Sequence, residues 1–383
     1  MNNFIDLIKR EFRLFASNSV VMAIFIGAPL LYGLLLGAVY SKGKVDNLPI
    51  LVIDLDDSPM SHRAIDMLND AEVLTVTVHY DQQEVRKGII TDGYEAVVTI
   101  PYRFEADIIQ KRHPEIQVEV NTANILPANY GAKAIQVALG TLNAGIEIQS
   151  LTKTGMPLTT AKESYEAFSV NYARFFNKSA NYMTFLWPGV LGVIIQQVFM
   201  LAMALSFARE QEDKTFATEF YPRVRNPWYA MFIKSLPFWL MGLGVLAALW
   251  AMFPLFKVPL QVHGMGMITL LAGLIFSVTM MGISVSLAIP SQLKATEVLM
   301  VIATPSFILS GFTWPLSQMP DWVVGLANTI PLTHFLEGLR KLMFYGATLN
   351  DIWPQLSGLL YISLFFMVLN YILFKTIPRL RTK

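Results

Sequence analysis

The sequence contains no cysteine, which excludes disulfide bonds, cysteine nucleophiles and cysteine metal ligands. Charged residues are also scarce: they make up 15% of the 383 residues, against 54% hydrophobic residues. The formal net charge of +1 provides no bulk attraction to nucleic acid, so no nucleic-acid partner is expected. The mean hydropathy of +0.46 is higher than that of an ordinary soluble domain and is typical of a membrane protein.

The phosphate-binding loop of ATPases, G-x-x-x-x-G-K-[ST], is missing too. We therefore expect this chain to bind no nucleotide. Nothing in the sequence resembles a Ser–His–Asp set or a carboxylate pair within a span, so we also expect no catalytic residues. Gradient-driven carriers tend to have internal repeats and ionisable residues near the centre of their spans. The sequence has neither feature, which favours a separate ATPase as the energy source.

No metal-binding motif is found either. The five histidines are scattered without the spacing of metal ligands. Asp54, Asp56 and Asp57 resemble the start of a calcium loop, but the glycine and the glutamate that such a loop needs further on are missing. We interpret these aspartates as a turn and helix cap, and we expect no metal or cofactor on this chain.

What the sequence does have is long apolar runs. A helix needs about 20 apolar residues to cross ~30 Å of hydrocarbon. The runs predict six membrane spans, with the fifth broken by Pro305: residues 20–40, 183–207, 229–256, 268–289, 298–314 and 353–374. The predicted fold is therefore an all-α membrane domain, made of a first span at 19–40 and five further spans within 183–376.

The basic residues predict the orientation of these spans. They gather before the first span, between the second and third spans, after the fourth span and in the tail at 377–383. By the positive-inside rule this side is cytoplasmic, which places both termini inside. Residues 1–18 place an apolar stripe opposite most of their basic residues, as in an interfacial helix on the cytoplasmic leaflet. The stripe consists of Phe4, Ile5, Ile8, Phe12 and Phe15, and the basic residues are Lys9, Arg10 and Arg13. A simple basic flank of the first span is the alternative.

One large hydrophilic block, residues 41–182, separates the first two spans. Short β-type runs such as 48–54 and 94–100 alternate with helical runs such as 59–69, 82–90 and 128–151. This alternation is typical of a small α/β domain. The predicted topology places this inserted domain outside the cytoplasm.

Residues 208–228 form a charged loop between the second and third spans. Within it, 215–221 is a short amphipathic helix closed by Pro222. Phe216 and Phe220 are spaced to share one helix face, and we expect them to anchor a soluble partner. The simpler interpretation is a solvated connector. The residues we predict to couple the chain to its partner are Glu210, Glu212, Thr215, Phe216, Phe220 and Tyr221.

Three stretches together resemble the permeases of ABC type 2 exporters. The first is Arg-Glu-x-Glu at 209–212, then Thr215, the short helix, a proline, a Trp and Lys234, although Lys214 stands where the family usually has glycine. The second comprises the runs 54–61, 88–108 and 118–124 of the hydrophilic block. The third is 310–341, with Ser-Gly-Phe, spaced prolines and Pro-Leu-Thr-His.

The resemblance implies a permease in the bacterial inner membrane. It implies two permease chains, identical or homologous, and two cytoplasmic ATPase subunits that carry ATP and Mg. Membrane lipids surround the spans, and an envelope adaptor outside is compatible with the sequence. The cargo is expected to be amphipathic or hydrophobic, since the spans offer no charged path.

The resemblance also implies a re-entrant element at 310–341. Its predicted outer-gate residues are Pro315, Pro320, Pro331, His334, Glu337 and Arg340. His334, Glu337 and Arg340 share one helix face, which indicates a structural ion cluster or, less simply, a proton-sensitive gate. Gln196 and Gln197 in the second span are candidates for the translocation path, the simpler role being hydrogen bonds between helices.

Two other functions are also compatible with the sequence. A membrane-anchored receptor or assembly protein would use the external domain without transport, but would have no need of the cytoplasmic amphipathic helix. A gradient-driven carrier would respond to a proton uncoupler. The sequence does not choose among drugs, lipids, glycan intermediates and peptides as cargo.

Overall fold

The structure, a computed structural model, describes residues 2–80, 93–165, 176–177, 179–259 and 264–381. The chain divides into two units. The first combines Met1–Gly43 with Arg174–Lys383, and the second is Lys44–Ala173. The helix expected at 82–90 lies outside the described residues.

The elements follow one another in this order. Up to the end of the second unit they are α1 (Asn2–Ala16), α2 (Ser19–Met22), a π-helical turn (Ala23–Gly27), α3 (Ala28–Val39), β1 (Leu48–Asp54), α4 (Pro59–Asn69), β2 (Leu74–His79), β3 (Ala96–Ile100), α5 (Phe104–Ile109), β4 (Gln117–Val120), α6 (Ile125–Lys153) and α7 (Leu158–Tyr165). The rest are α8 (Tyr182–Glu212), a second π-helical turn (Phe216–Phe220), α9 (Tyr221–Arg223), α10 (Pro227–Leu255), α11 (Gly264–Ala288), α12 (Gln292–Leu309), a 3-10 turn (Leu316–Gln318), α13 (Asp321–Ala327), α14 (Pro331–Phe344) and α15 (Trp353–Arg381).

Among the described residues, five helices are long and apolar enough to cross a membrane. They are α8, α10, α11, α12 and the part of α15 at Trp353–Thr376. The apolar run at 20–40, predicted as the first span, is interrupted by the π-helical turn, and its apolar part Ala23–Val39 is shorter than the other five. The fifth run begins earlier than predicted, at Gln292, and contains Pro305 within the helix.

Helix α8 lies at the centre of the first unit. In the most apolar 18-residue stretch of α8, 67% is buried, whereas in that of α15 only 17% is buried. Glycines permit the close approach of its neighbours: a Cβ built on Gly192 would lie 2.5 Å from the ring of Phe335, and one on Gly282 would lie 2.8 Å from the carbonyl oxygen of Met200. The indole of Trp187 also donates to the carbonyl of Gly33 at 3.0 Å, which ties α3 to α8.

The second unit contains a four-stranded sheet of order β2-β1-β3-β4. Strand β1 is parallel to both β2 and β3, and β4 pairs with β3 in the antiparallel sense. Because β1 lies between two strands, its side chains Ile50, Val52 and Ile53 are fully buried. Helix α4 begins with a capping box in which Ser58 and Ser61 each accept a hydrogen bond from the other's backbone N–H. These elements lie within a few residues of where the sequence pattern predicted them.

The tight contact at Gly282 leads to a first prediction. We expect Gly282→Ala to lower the stability of the protein by roughly 1–3 kcal/mol, because the new methyl group meets the backbone of α8. Gly244→Ala in α10 is the matched control, since no other side chain or remote backbone atom of the described residues lies within 4 Å of its Cβ position. That substitution should leave stability unchanged or raise it by about 0.5–1 kcal/mol. Thermal unfolding of both variants in detergent tests this, and equal midpoints would contradict the packing described.

Candidate functional site

The end of α8, the start of α10 and helix α1 meet at one place. Helix α8 ends at Glu212, and Lys214 follows in the left-handed conformation (φ 60°), which turns the chain back. Helix α10 begins after Asn226, whose side chain accepts a hydrogen bond from the backbone N–H of Trp228 at 2.9 Å. The segment between these two points, residues 213–226, is called the coupling segment below.

Lys234 of α10 lies at the centre of this meeting point. Its side chain is only 1% exposed, and its ammonium contacts carboxylates from two other helices. It donates to both oxygens of Glu11 in α1, at 2.9 and 3.0 Å, and to Oε1 of Glu210 in α8 at 2.7 Å. The ring of Phe220 lies 4.7 Å from Nζ and adds a cation–π contact.

Arg10 extends the network from α1. Its guanidinium pairs with Glu210, with Nη2 at 3.1 Å from Oε2, and with Glu11 at 2.9 Å. The hydroxyl of Thr215 donates to the same Oε2 of Glu210 at 2.6 Å. Burial opposes the charge of Arg10, but the hydrogen bond and charge of Glu210, with the charges of Glu11 and Glu219, outweigh it and raise the pKa of Arg10.

Arg10, Glu11, Glu210 and Lys234 together form what we call the ion network. It contains two positive and two negative charges, so its charges balance. Removing one partner from such a buried set leaves an uncompensated charge and typically costs about 3–5 kcal/mol. The network therefore holds α1, α8 and α10 together at the base of the coupling segment.

An open pocket of about 200 Å³ lies beside the ion network. One wall is apolar and includes Leu14, Phe15 and Phe238. The charged part of the lining includes Asp213 and Glu219 of the coupling segment. The pocket is therefore amphipathic, and its lining includes charged residues of the coupling segment.

The two phenylalanines that we predicted as anchors for a partner are buried inside the protein. Phe216 and Phe220 are only 3% and 1% exposed, and both pack against Phe207 of α8. The prediction that they form an accessible face for a partner is wrong, because the fold-back at Lys214 and the π-helical turn direct both rings into the protein. The accessible residues of this turn are 217–219.

The other predicted coupling residues have separate positions. Glu210 belongs to the ion network and Thr215 contacts it. Glu212 is exposed and accepts from the backbone N–H and side-chain amide of Gln292 at 2.9 and 3.1 Å, which caps α12. Tyr221 is half-buried, with its ring 5.7 Å from that of Phe374.

Helix α1 presents a different face from the predicted one. Leu7, Glu11 and Phe15, spaced four residues apart, form its buried side. Phe4 and Ile5, which were expected on the main apolar stripe, are 36% and 48% exposed. Arg10, Glu11 and Lys234 were not predicted as site residues, and Lys234, expected to extend its charge to the membrane surface, is instead buried. The sequence did contain a signal for Glu11, which lies between Leu7 and Phe15 on the same face of the helix.

The two glutamines of α8 differ in their surroundings. Gln196 is 1% exposed, and among the described residues neither its amide oxygen nor its amide nitrogen has a hydrogen-bond partner. Gln197 is half-buried. The helix-to-helix bond expected for this pair is thus not formed by Gln196 within the described part of the chain.

The predicted gate residues do not form one ion cluster. His334 contacts the carbonyl oxygen of Asn328 at 2.9 Å, and Glu337 pairs with Lys341 at 3.4 Å. Arg340 donates to the carbonyl of Phe312 at 2.8 Å and lies over its ring. The three side chains share a helix but reach different neighbours, mainly backbone carbonyls.

The prolines of the same region divide it as the sequence suggested. Pro315 and Pro320 are exposed, and they precede the 3-10 turn and α13 respectively. Pro331 is buried and opens α14, where its missing N–H is not needed.

One group in the described chain has the composition of a metal site. The ligand atoms of Asp54, Asp57 and His62 lie within 4.8 Å of one another. The carboxylate of Asp54, however, accepts from the backbone N–H groups of Asp56 and Asp57 and from the Ser61 hydroxyl at 2.7 Å. This geometry is that of a turn and helix cap.

Comparison with known proteins gives a consistent result. The model of the ABC-2 family transporter proteins matches residues 19–372. The chain is 26% identical over 347 residues to the inner membrane transport permease YhhJ of Escherichia coli K12, covering 88% of each chain. It is 22% identical over 370 residues to the probable multidrug ABC transporter permease YbhR of the same organism, covering 93% of this chain and 94% of that one. Over 362 residues it is 23% identical to the linearmycin resistance permease protein LnrN of Bacillus subtilis 168, covering 86% of this chain and 88% of that one.

The ion network generates a second prediction. Lys234→Met should destabilise the protein by about 3–5 kcal/mol, because Glu11 and Glu210 then share a buried site with only Arg10. Adding Glu11→Gln should recover part of the loss by restoring the balance of charge. Lys9→Met on the exposed side of α1 is the control and should have little effect. Thermal melts in detergent measure these differences, and a Lys234→Met variant as stable as the control would refute the network.

Proposed function

The chain belongs to the ABC-2 transporter family, and on that basis we propose that it is the membrane permease subunit of an ATP-driven exporter. The energy comes from separate cytoplasmic ATPase subunits, which carry the ATP and Mg. Two permease chains, identical or homologous, complete the transporter. The apolar exposed faces of α12 and α15 are available to membrane lipid and to the second permease.

The observation that carries this proposal is the ion network. It joins α1 to the end of α8 and the start of α10, directly beside the exposed residues 217–219. Closure of the ATPase subunits against these residues displaces the coupling segment. The displacement passes into α8 and α10 together, because a buried and balanced set of charges resists separation. The permease then moves between inward-facing and outward-facing states, each favoured by its own contacts with the ATPase and the cargo.

In the proposed topology the chain crosses the membrane six times. The helical stretch from α2 to α3 is the first span, and α8, α10, α11, α12 and α15 are the other five. The second unit, Lys44–Ala173, then lies outside the cytoplasm, where an adaptor of the cell envelope can reach it. Both termini lie inside, in agreement with the basic residues near them.

The proposed cargo is amphipathic or hydrophobic. The stretches 183–207, 235–256, 264–288 and 353–374 of the spanning helices contain no Asp, Glu, Lys or Arg, which favours an uncharged path. The relatives named for multidrug transport and linearmycin resistance are consistent with such compounds. Gln196 and Gln197 are proposed to line the path, and the segment 310–341, with its prolines and His334, Glu337 and Arg340, to form the outer gate.

A third prediction concerns the topology. Single cysteines at Ser58 and Gln318 should react with an impermeant thiol reagent in intact cells, because Ser58 is partly exposed, Gln318 is exposed, and both lie outside in the proposed topology. Cysteines at Asp213 and Thr218 should react only after the cells are opened. The parent chain has no cysteine and gives no background. Labelling of the second pair in intact cells would contradict the six-span topology.

A fourth prediction separates the permease from its energy source. The chain purified alone should hydrolyse no ATP and show no saturable nucleotide binding, because it lacks a phosphate-binding loop. The same tagged chain taken from its native membranes in mild detergent should retain an ATPase subunit and show ATP hydrolysis. Saturable nucleotide binding by the isolated chain would refute a separate ATPase.

A further inference from the structure

We propose that the pocket beside the ion network receives a basic side chain, arginine or lysine, from the partner ATPase. In this arrangement Glu219 and Asp213 bind the charged group at the mouth of the pocket. The inference rests on the proposed function, since it assumes that the ATPase docks on the coupling segment. Beyond that docking, it specifies that the contact is ionic and that it is made in this pocket.

The first argument is the charge of the pocket lining. Its basic residues are Arg10, Arg209 and Lys234, and its acidic residues are Glu11, Glu210, Asp213 and Glu219. Three positive charges against four negative ones leave an excess of one negative charge. A single added cation therefore balances the site.

The second argument is where that excess lies. Within the ion network the charged atoms are in hydrogen-bond contact, and Glu11, Glu210 and Lys234 are 6% exposed or less, while Arg10 is 20% exposed. At the mouth, Glu219 is 52% exposed and its oxygen is 3.6 Å from Nη2 of Arg10. Asp213 is 54% exposed and 3.7 Å from Nε of Arg209. Both distances exceed those of a good charged hydrogen bond, so these carboxylates have room for a better donor.

The third argument is the shape and surroundings of the pocket. Its apolar wall at Leu14, Phe15 and Phe238 suits the methylene stem of a long basic side chain, while the carboxylates suit its charged end. Arg223 and Arg225, a few residues further along the coupling segment, are exposed and basic. Acidic residues at 213 and 219 and basic residues at 223 and 225 favour a partner of matching charge order, because opposite charges attract and like charges repel.

The arrangement also connects docking to the ion network. A cation bound to Glu219 competes with Arg10 for the same carboxylate. Arg10 is bonded to Glu210, and Glu210 is bonded to Lys234. Occupation of the pocket therefore changes the charge balance of the contacts that hold α1, α8 and α10.

The test uses the full-length tagged chain in complex with the ATPase that it retains from native membranes. Glu219→Lys should lower the retained ATPase, measured by quantitative mass spectrometry, by about 10-fold or more at low salt. Retention by the parent chain should fall as salt is raised. Glu297→Lys is the matched control, because it makes the same charge change at an exposed residue outside the pocket, and it should retain the ATPase like the parent.

A compensating substitution on the ATPase identifies the basic residue that enters the pocket. A photocrosslinking amino acid at Thr218 maps the segment of the ATPase that contacts the turn. Reversing the basic residue of that segment to glutamate should restore retention by Glu219→Lys. If Glu219→Lys does not fold, judged by its elution and melting profile, Glu219→Gln replaces it and should show weaker retention with little salt dependence.

The outcomes separate this inference from the proposed function. If the parent chain retains no ATPase at any salt concentration, the proposed function fails. If the parent retains it and Glu219→Lys retains it equally, only the basic-residue pocket is refuted. If Glu219→Lys keeps the ATPase but loses phosphatidylethanolamine from nanodiscs of phosphatidylethanolamine and phosphatidylglycerol, the occupant is a lipid ammonium group and the inference is likewise overturned.

Discussion

The buried ammonium of Lys234 is the constraint on which one end of the membrane unit, where α1, α8 and α10 meet, depends. A charge that is 1% exposed at the end of an apolar helix is stable only with carboxylates at hydrogen-bond distance. One carboxylate comes from α1 and the other from α8. If either helix moved away, the buried ammonium on α10 would lose one of the carboxylates that stabilise it. Arg10 then brings the four charges into balance. Helix α1 is thereby bound to the membrane unit by specific contacts as well as by its apolar face.

Close packing extends this constraint along the unit. Helix α8 carries Glu210 near one end and has glycine-mediated contacts with α11 and α14 along its length. Protein interiors packed at this density deform little, so a shift at the ion network moves whole helices rather than single side chains. The amide of Gln196, which has no hydrogen-bond partner among the described residues, lies within the same helix. A rigid α8 that carries both features is a physical link between the ion network and the interior of the membrane unit.

Local patterns in the sequence predicted the helices and strands well. They did not predict which residues far apart in the chain contact each other. Apolar runs of sufficient length identified α8, α10 and α11, and Ser58 with Pro59 identified the start of α4. The partners of Lys234 could not be predicted, because Glu11 is 223 residues away in the chain. Phe216 and Phe220 were expected outside, since helical spacing indicates a shared face but not whether solvent or protein covers it. Arg340 was expected among charges, but it is held by backbone carbonyls, which carry no signature in a sequence.

The order of the three charged elements along the chain has a consequence for biosynthesis. A ribosome makes Glu11 first, Glu210 much later and Lys234 shortly after that. When the lysine reaches the membrane, both carboxylates that stabilise it have already been synthesised, and one is carried by the immediately preceding long helix. The cation is thus the last of the three groups to arrive, and α10 can enter the bilayer with its charge already matched. A chain shortened at its N-terminus would lose this timing, and its newly made α10 would reach the membrane with one partner instead of two.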